Sequence, residues 1–130
     1  MSDSPLAGKR VLVVEDNIEN MRLFQAILKL EGVEVIEADE APKGLELAES
    51  EQPNLILMDI HMPGMDGLTA TRLLRENVLT RDIPIVAVTA SVMEKDRNKT
   101  IEAGCDGVIA KPIDPDIFAT QLASYLKTDG

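Results

Sequence analysis

Leu55-Ile56-Leu57-Met58-Asp59-Ile60-His61-Met62-Pro63-Gly64-Met65-Asp66-Gly67 is the stretch on which the fold turns. Four unbroken apolar residues end in a carboxylate. Pro63-Gly64 then supplies a type II turn, and Asp66 stands where a helix N-cap belongs. A short run without polar alternation suits a strand covered by helices on both faces. Three other runs repeat the pattern. Val11-Leu12-Val13-Val14 runs into Glu15 and Asp16, Ile85-Val86-Ala87-Val88 into Thr89, and Val108-Ile109-Ala110 into Lys111.

Between these strands lie helix-like segments. The first is about Ile18 to Glu31, with Met21, Phe24 and Leu28 on one face and Gly32 marking its end. The second is about Ala41 to Glu49, with Pro42 in its first turn. The third runs from about Gly67 to Glu76, the fourth from about Val92 to Ala103. The fifth runs from about Pro115 to Leu126, with Asp114 as its cap. Val33 to Ala38, carrying Glu34 and Glu37, reads as an edge strand. Five βα units with short connections imply a parallel sheet with right-handed crossovers. The expected architecture is α/β, a flavodoxin-like (βα)5 doubly wound sheet in strand order 2-1-3-4-5. In that order the first and third strands are neighbours at the switch point, where ligands bind beyond the strand ends. Glu15, Asp16 and Asp59 fall there.

The 130 residues fit one domain, expected over residues 10–127 behind a flexible tail at 1–9 and without an output domain. A formal net charge of −10 argues against nucleic acid and anionic membrane as direct partners, because both would be repelled. No apolar run approaches the roughly 20 residues of a membrane span, and Met1 to Gly8 lacks a signal-peptide pattern. The lone Cys105 has no disulfide partner and is expected to pack as a small apolar residue. These features place the chain in the cytoplasm; separately, it is expected to be a monomer or weak dimer.

Three carboxylates in one cleft repel each other by about 4 kcal/mol per pair at about 4 Å and an effective dielectric of about 20. Such a site raises a pKa or holds a cation, and an all-oxygen set suits Mg²⁺. Lys111 adds a positive charge for anionic oxygens, and Thr89 a hydroxyl. Together these are the parts for magnesium-assisted phosphoryl transfer to a carboxylate.

The segments VVEDN (13–17), LILMDIHMPGMDG (55–67), PIVAVTA (84–90) and GVIAKPI (107–113), in this order and spacing, resemble a response-regulator receiver domain of two-component signalling. The resemblance covers about Lys9 to Leu126. It implies that Asp59 accepts a phosphoryl group from the phosphohistidine of a histidine kinase or histidine phosphotransfer protein. It further implies that Asp16, Asp59 and the backbone carbonyl of His61 bind Mg²⁺, with Glu15 acting mainly through a metal-bound water. Thr89 and Lys111 would hold the phosphoryl oxygens, Lys111–Pro112 would be cis, and helix one would dock the kinase. The output would be docking to a downstream target protein, through the face of helix four, strand five and helix five.

Helix four has few apolar residues and could shift at low cost. Val108 stands where the family often carries a switching Tyr or Phe, so the signal is expected to run through Thr89, the loop after it and helix four. The imidazole of His61 is a candidate for adjusting how water reaches a phosphorylated Asp59. The stretches VEDNIENMRLF (14–24) and VTASVMEKDRNKTIEAGCDGVIAKPI (88–113) are similar to cell-division single-domain regulators and to receivers of hybrid histidine kinases. The competing reading is a Mg²⁺-dependent phosphatase with an aspartate nucleophile. Those enzymes usually carry a second Asp two residues after the nucleophile, where this chain has His61. A flavin-binding module is a third reading, disfavoured because Glu15-Asp16 would repel a phosphate in the first loop.

Overall fold

The computed structural model describes residues 4–90 and 93–126. Its elements in chain order are β1 (Arg10–Val14), α1 (Ile18–Leu30), β2 (Glu34–Ala38), α2 (Ala41–Glu51) and β3 (Leu55–Asp59). They continue with α3 (Gly67–Glu76), β4 (Ile85–Thr89), α4 (Glu94–Ala103), β5 (Gly107–Ala110) and α5 (Phe118–Ala123). The strands form one sheet in the order β2-β1-β3-β4-β5, every pair parallel. The expected fold and strand order are therefore present.

Alternation along each strand feeds two cores. Val11, Val13, Leu55, Leu57, Val86 and Val88 pack with residues of α1 and α5, among them Phe24, Leu28, Phe118 and Leu122. The Phe24 and Phe118 rings meet at 5.7 Å between centroids, across the two helices. Leu12, Val14, Ile56, Met58, Ile85 and Ala87 join the second core, with Ala41, Ala48, Ala70 and Leu74 from α2 and α3. β3 and β4 are buried along their whole length, as strands covered on both faces must be. α2 lies close to the sheet because Gly44 has no side chain: a Cβ there would sit 2.8 Å from Val14 Cγ2.

Local signals set most boundaries. Asn17 caps α1 by accepting from the Asn20 amide at 2.9 Å, and Asp66 caps α3 by accepting from Thr69 at 2.8 Å. Gly64 has φ 75°, the conformation a type II turn asks of it. The Lys111–Pro112 bond is cis. Cys105 is buried in the second core.

Four expectations need adjustment. α5 begins at Phe118 rather than Pro115, and Asp114 is not its cap. Asp114 closes a turn instead: its Oδ1 accepts from the Asp116 amide at 2.9 Å, and its carbonyl accepts from Ile117 and Phe118 at 3.1 and 3.0 Å. α2 continues two residues further, to Glu51, before Gln52 turns left-handed at φ 47°. Val33 precedes β2, because its amide donates to Leu28 O at the end of α1. Residues 4–9, read as tail, form a turn that seats Leu6 in the first core with no exposure. The Gly8 amide donates to Gly32 O at 2.9 Å, which ties this turn to the end of α1. The expected start of helix four at Val92 lies outside the described residues.

Candidate functional site

The strand register delivers the functional side chains to one edge. Val14 pairs with Met58, so Glu15 and Asp16 emerge beside Asp59. Asp59 pairs with Val88, one residue before Thr89, and Thr89 pairs with Ala110, one before Lys111. The Lys111 amide continues the ladder by donating to Thr89 O at 2.8 Å. All five positions therefore meet at the carboxyl ends of four adjacent strands.

Glu15, Asp16 and Asp59 each present a carboxylate oxygen within 4.8 Å of the others. Glu15 is 1% exposed and Asp59 5%, while Asp16 faces solvent. Lys111 Nζ lies 3.1 Å from Glu15 Oε1 and 3.5 Å from Asp59 Oδ1, bridging the two buried acids. The backbone supplies further partners: the Asn17 amide donates to Glu15 Oε2 at 3.2 Å, and the His61 amide donates to Asp59 Oδ1 at 3.1 Å. The residue that caps α1 thus also holds Glu15, and the β3–α3 loop folds back onto the acid that precedes it.

The Glu15 carboxyl is pushed above its ordinary range, first by burial and then by the hydrogen bond and negative charge of Asp59. The Asn17 amide and Lys111 pull it back only in part. A cleft that strains to keep its acids ionised is one that a divalent cation would relieve, and the donors are all oxygens. The residues present therefore fit Mg²⁺.

Gly67 has a structural role that its place in the sequence did not announce. Its amide donates to Ile60 O at 3.1 Å. A Cβ on Gly67 would run into the Asp59 carbonyl oxygen and lie 2.9 Å from Ile60 Cα. The start of α3 can reach the Asp59 loop only because this residue is glycine. Asp-Gly directly after the loop was the available signal.

A parallel sheet with acids gathered at its β1/β3 switch point and a lysine bridging them defines a receiver domain. The response regulator receiver domain profile matches residues 11–123, and this chain belongs to that family, the receiver domains of two-component signalling. Among its relatives is the polar-differentiation response regulator DivK of Brucella ovis, 40% identical over 118 residues, covering 91% of this chain and 96% of DivK. The receiver domain of sensor histidine kinase PA1611 from Pseudomonas aeruginosa is 33% identical, with TM-score 0.85, and covers 92% of this chain and 98% of that one. It was solved with a magnesium ion coordinated in its active-site cleft. Vibrio cholerae chemotaxis protein CheY4 superimposes with TM-score 0.87 at 25% identity, covering 92% of this chain and all of that one.

Proposed function

We propose that this receiver takes a phosphoryl group from a phosphohistidine onto Asp59 and passes the signal on by docking to a target protein. One observation carries the reading: Glu15, Asp16 and Asp59 converge within 4.8 Å while Lys111 touches both buried acids. Glu15, Asp16, Asp59 and the backbone carbonyl of His61 would hold Mg²⁺, with Glu15 acting mainly through a metal-bound water. Bound there, Mg²⁺ would neutralise charge on the acids and on the incoming phosphoryl oxygens.

Asp59 attacks phosphorus through a carboxylate oxygen. The P–N bond to the imidazole breaks, and the imidazole nitrogen keeps the electron pair and takes a proton from solvent. The His61 amide holds Asp59 Oδ1, which orients the carboxylate for attack. Lys111 already stands at Asp59 and meets a phosphoryl oxygen with little rearrangement. The Thr89 hydroxyl turns toward another phosphoryl oxygen and so senses the modification. The new group adds charge and acceptor oxygens, which bias the neighbouring loop.

The donor would be a histidine kinase or a histidine phosphotransfer protein, met in the cytoplasm and docked on α1. Readout through Thr89, the loop after it and α4 is supported by α4 itself, whose buried residues are Thr100 and Ala103. Val108 at the aromatic position is half-buried against the second core.

The test is incubation with acetyl phosphate and Mg²⁺, then intact mass measurement. Wild type is expected to gain one phosphoryl group and Asp59→Asn none. Labelling of the Asn variant, or sustained turnover of phosphoesters, would overturn the reading.

A further inference from the structure

Arg75, near the end of α3, makes four contacts away from the site at the strand ends. Its Nε donates to Gly104 O at 2.8 Å, and its Nη1 to Arg81 O at 2.8 Å and Ile83 O at 2.7 Å. Its Nη2 pairs with Asp106 Oδ2 at 2.8 Å. The same Asp106 oxygen accepts from the Ile85 amide at 2.8 Å, where β4 begins. One guanidinium therefore joins α3, the loop before β4 and the turn between α4 and β5.

The aliphatic part of Arg75 lies across Gly104, whose φ is 117°. A Cβ there would approach Arg75 Cγ to 2.7 Å. Thr71, one turn earlier on α3, adds a contact between its Oγ1 and Cys105 Sγ at 3.6 Å. The side chain of Arg75 is 22% exposed; its bonds to Gly104 O and Ile83 O are part-buried, and those to Arg81 O and Asp106 lie nearer solvent.

This anchorage falls on one end of α4. Thr100 and Ala103 are buried, and Gly104 and Asp106 are held by Arg75. From Met93 to Lys99 the helix is exposed except for a half-buried Asp96. Ile101 and Glu102 are exposed as well, so burial rises only along the inner face, from Asp96 to Thr100 and Ala103, toward the end where the clamp sits.

We infer that Arg75 is a positioning residue that makes the C-terminal end of α4 a fixed pivot, so that α4 moves by swinging its N-terminal half. The link to signalling rests on the phosphoacceptor reading above; the pivot itself does not. It assigns the α4–β5 turn to the rigid body of α3 and β4, and leaves the first two turns of α4 to respond.

Amide hydrogen exchange on the unmodified protein tests the pivot directly. In wild type, protection is expected to rise along α4 from Arg97 to Cys105. In Arg75→Gln, Cys105 and Asp106 are expected to exchange about tenfold faster or more, the equivalent of losing charge-assisted hydrogen bonds. The Phe24 and Leu57 amides should keep their wild-type rates. Arg75→Lys guards against a misfolded variant: it keeps the charge opposite Asp106 but not the fork, and should fall between the other two. Unchanged exchange at Cys105 and Asp106 in both variants would overturn the inference, as would a flat protection profile along wild-type α4.

Beryllofluoride with Mg²⁺ supplies the second arm. Amide shifts are expected at Met93 to Lys99 and not at Ala103 to Asp106, and should spread into the latter in Arg75→Gln. Equal shifts at both ends of wild-type α4 would refute the pivot. Failure of the Lys111 amide to respond would count against the phosphoacceptor reading, while exchange still decides the pivot.

Discussion

Replacing Lys111 with Met should destabilise the protein, and more so at pH 7.5 than at pH 5.5. The lysine touches Glu15 at 3.1 Å and Asp59 at 3.5 Å, and both acids are buried. At these distances an effective dielectric of about 20 gives about 5 kcal/mol of attraction for each contact. Desolvation of the ammonium offsets much of that. Removing one partner of a buried pair costs about 3–5 kcal/mol, and the 22% exposure of Lys111 lowers this to about 2–3 kcal/mol through solvent screening. With an m-value of about 2 kcal/mol/M, the urea midpoint should fall by about 1 M at pH 7.5 in metal-free buffer.

The pH dependence arises from Glu15. Its carboxyl is raised in the folded state, so between the unfolded and folded values the folded protein binds more protons. Stability then falls as pH rises through that window. Lys111 pulls the Glu15 carboxyl down, so the variant's window extends to higher pH. At the lower pH more of the variant's Glu15 is protonated, which weakens the repulsion from Asp59 and shrinks the loss. At pH 7.5 more of the loss is expressed. Urea unfolding of both proteins at the two pH values checks this. Equal losses at both pH values, or a variant as stable as wild type at pH 7.5, would refute the reasoning.

Two further substitutions probe the frame of the site. Gly67→Ala should cost about 1–3 kcal/mol, because its Cβ must displace the Asp59 carbonyl. The melting temperature should drop and labelling by acetyl phosphate should slow together; a variant that melts and labels like wild type would remove the packing argument. Asp66→Ala should cost about 1 kcal/mol at neutral pH by uncapping α3. The Thr69 amide holds the Asp66 carboxyl below its ordinary range, so the cap's contribution is present above the unfolded value and lost as pH falls through the lowered one. The two proteins should therefore converge in stability in strong acid, as denaturation curves taken down the pH scale can establish.

Patterning made the sheet legible because burial on both faces leaves no room for alternation. Leu55 to Met58 and Ile85 to Val88 could be little else than central strands, and both have the expected bounds. The α3 cap was readable because Asp66 acts on an amide three residues away. Asp114 looked the same in sequence, yet the chain there makes a turn before the helix. A capping residue directly before Pro fits either outcome, and the tertiary surroundings choose between them. Leu6 shows a similar limit: one apolar residue among Ser4, Pro5 and Gly8 has no periodicity to announce burial.

The sequence by itself determined the alternation of strands and helices and which acids end the apolar runs, because periodicity and run ends act over a few residues; the strand order followed from the fold class those elements imply. Only the tertiary structure decided that Lys111 bridges Glu15 and Asp59, although 96 residues separate Lys111 from Glu15. The same holds for Gly67 against the Asp59 carbonyl, and for Arg75 clamping the turn after α4. Each is a through-space contact whose partners have no fixed spacing along the chain. A sequence can name the residues that carry charge; which charges share a low-dielectric space is settled when the sheet brings the strand ends together.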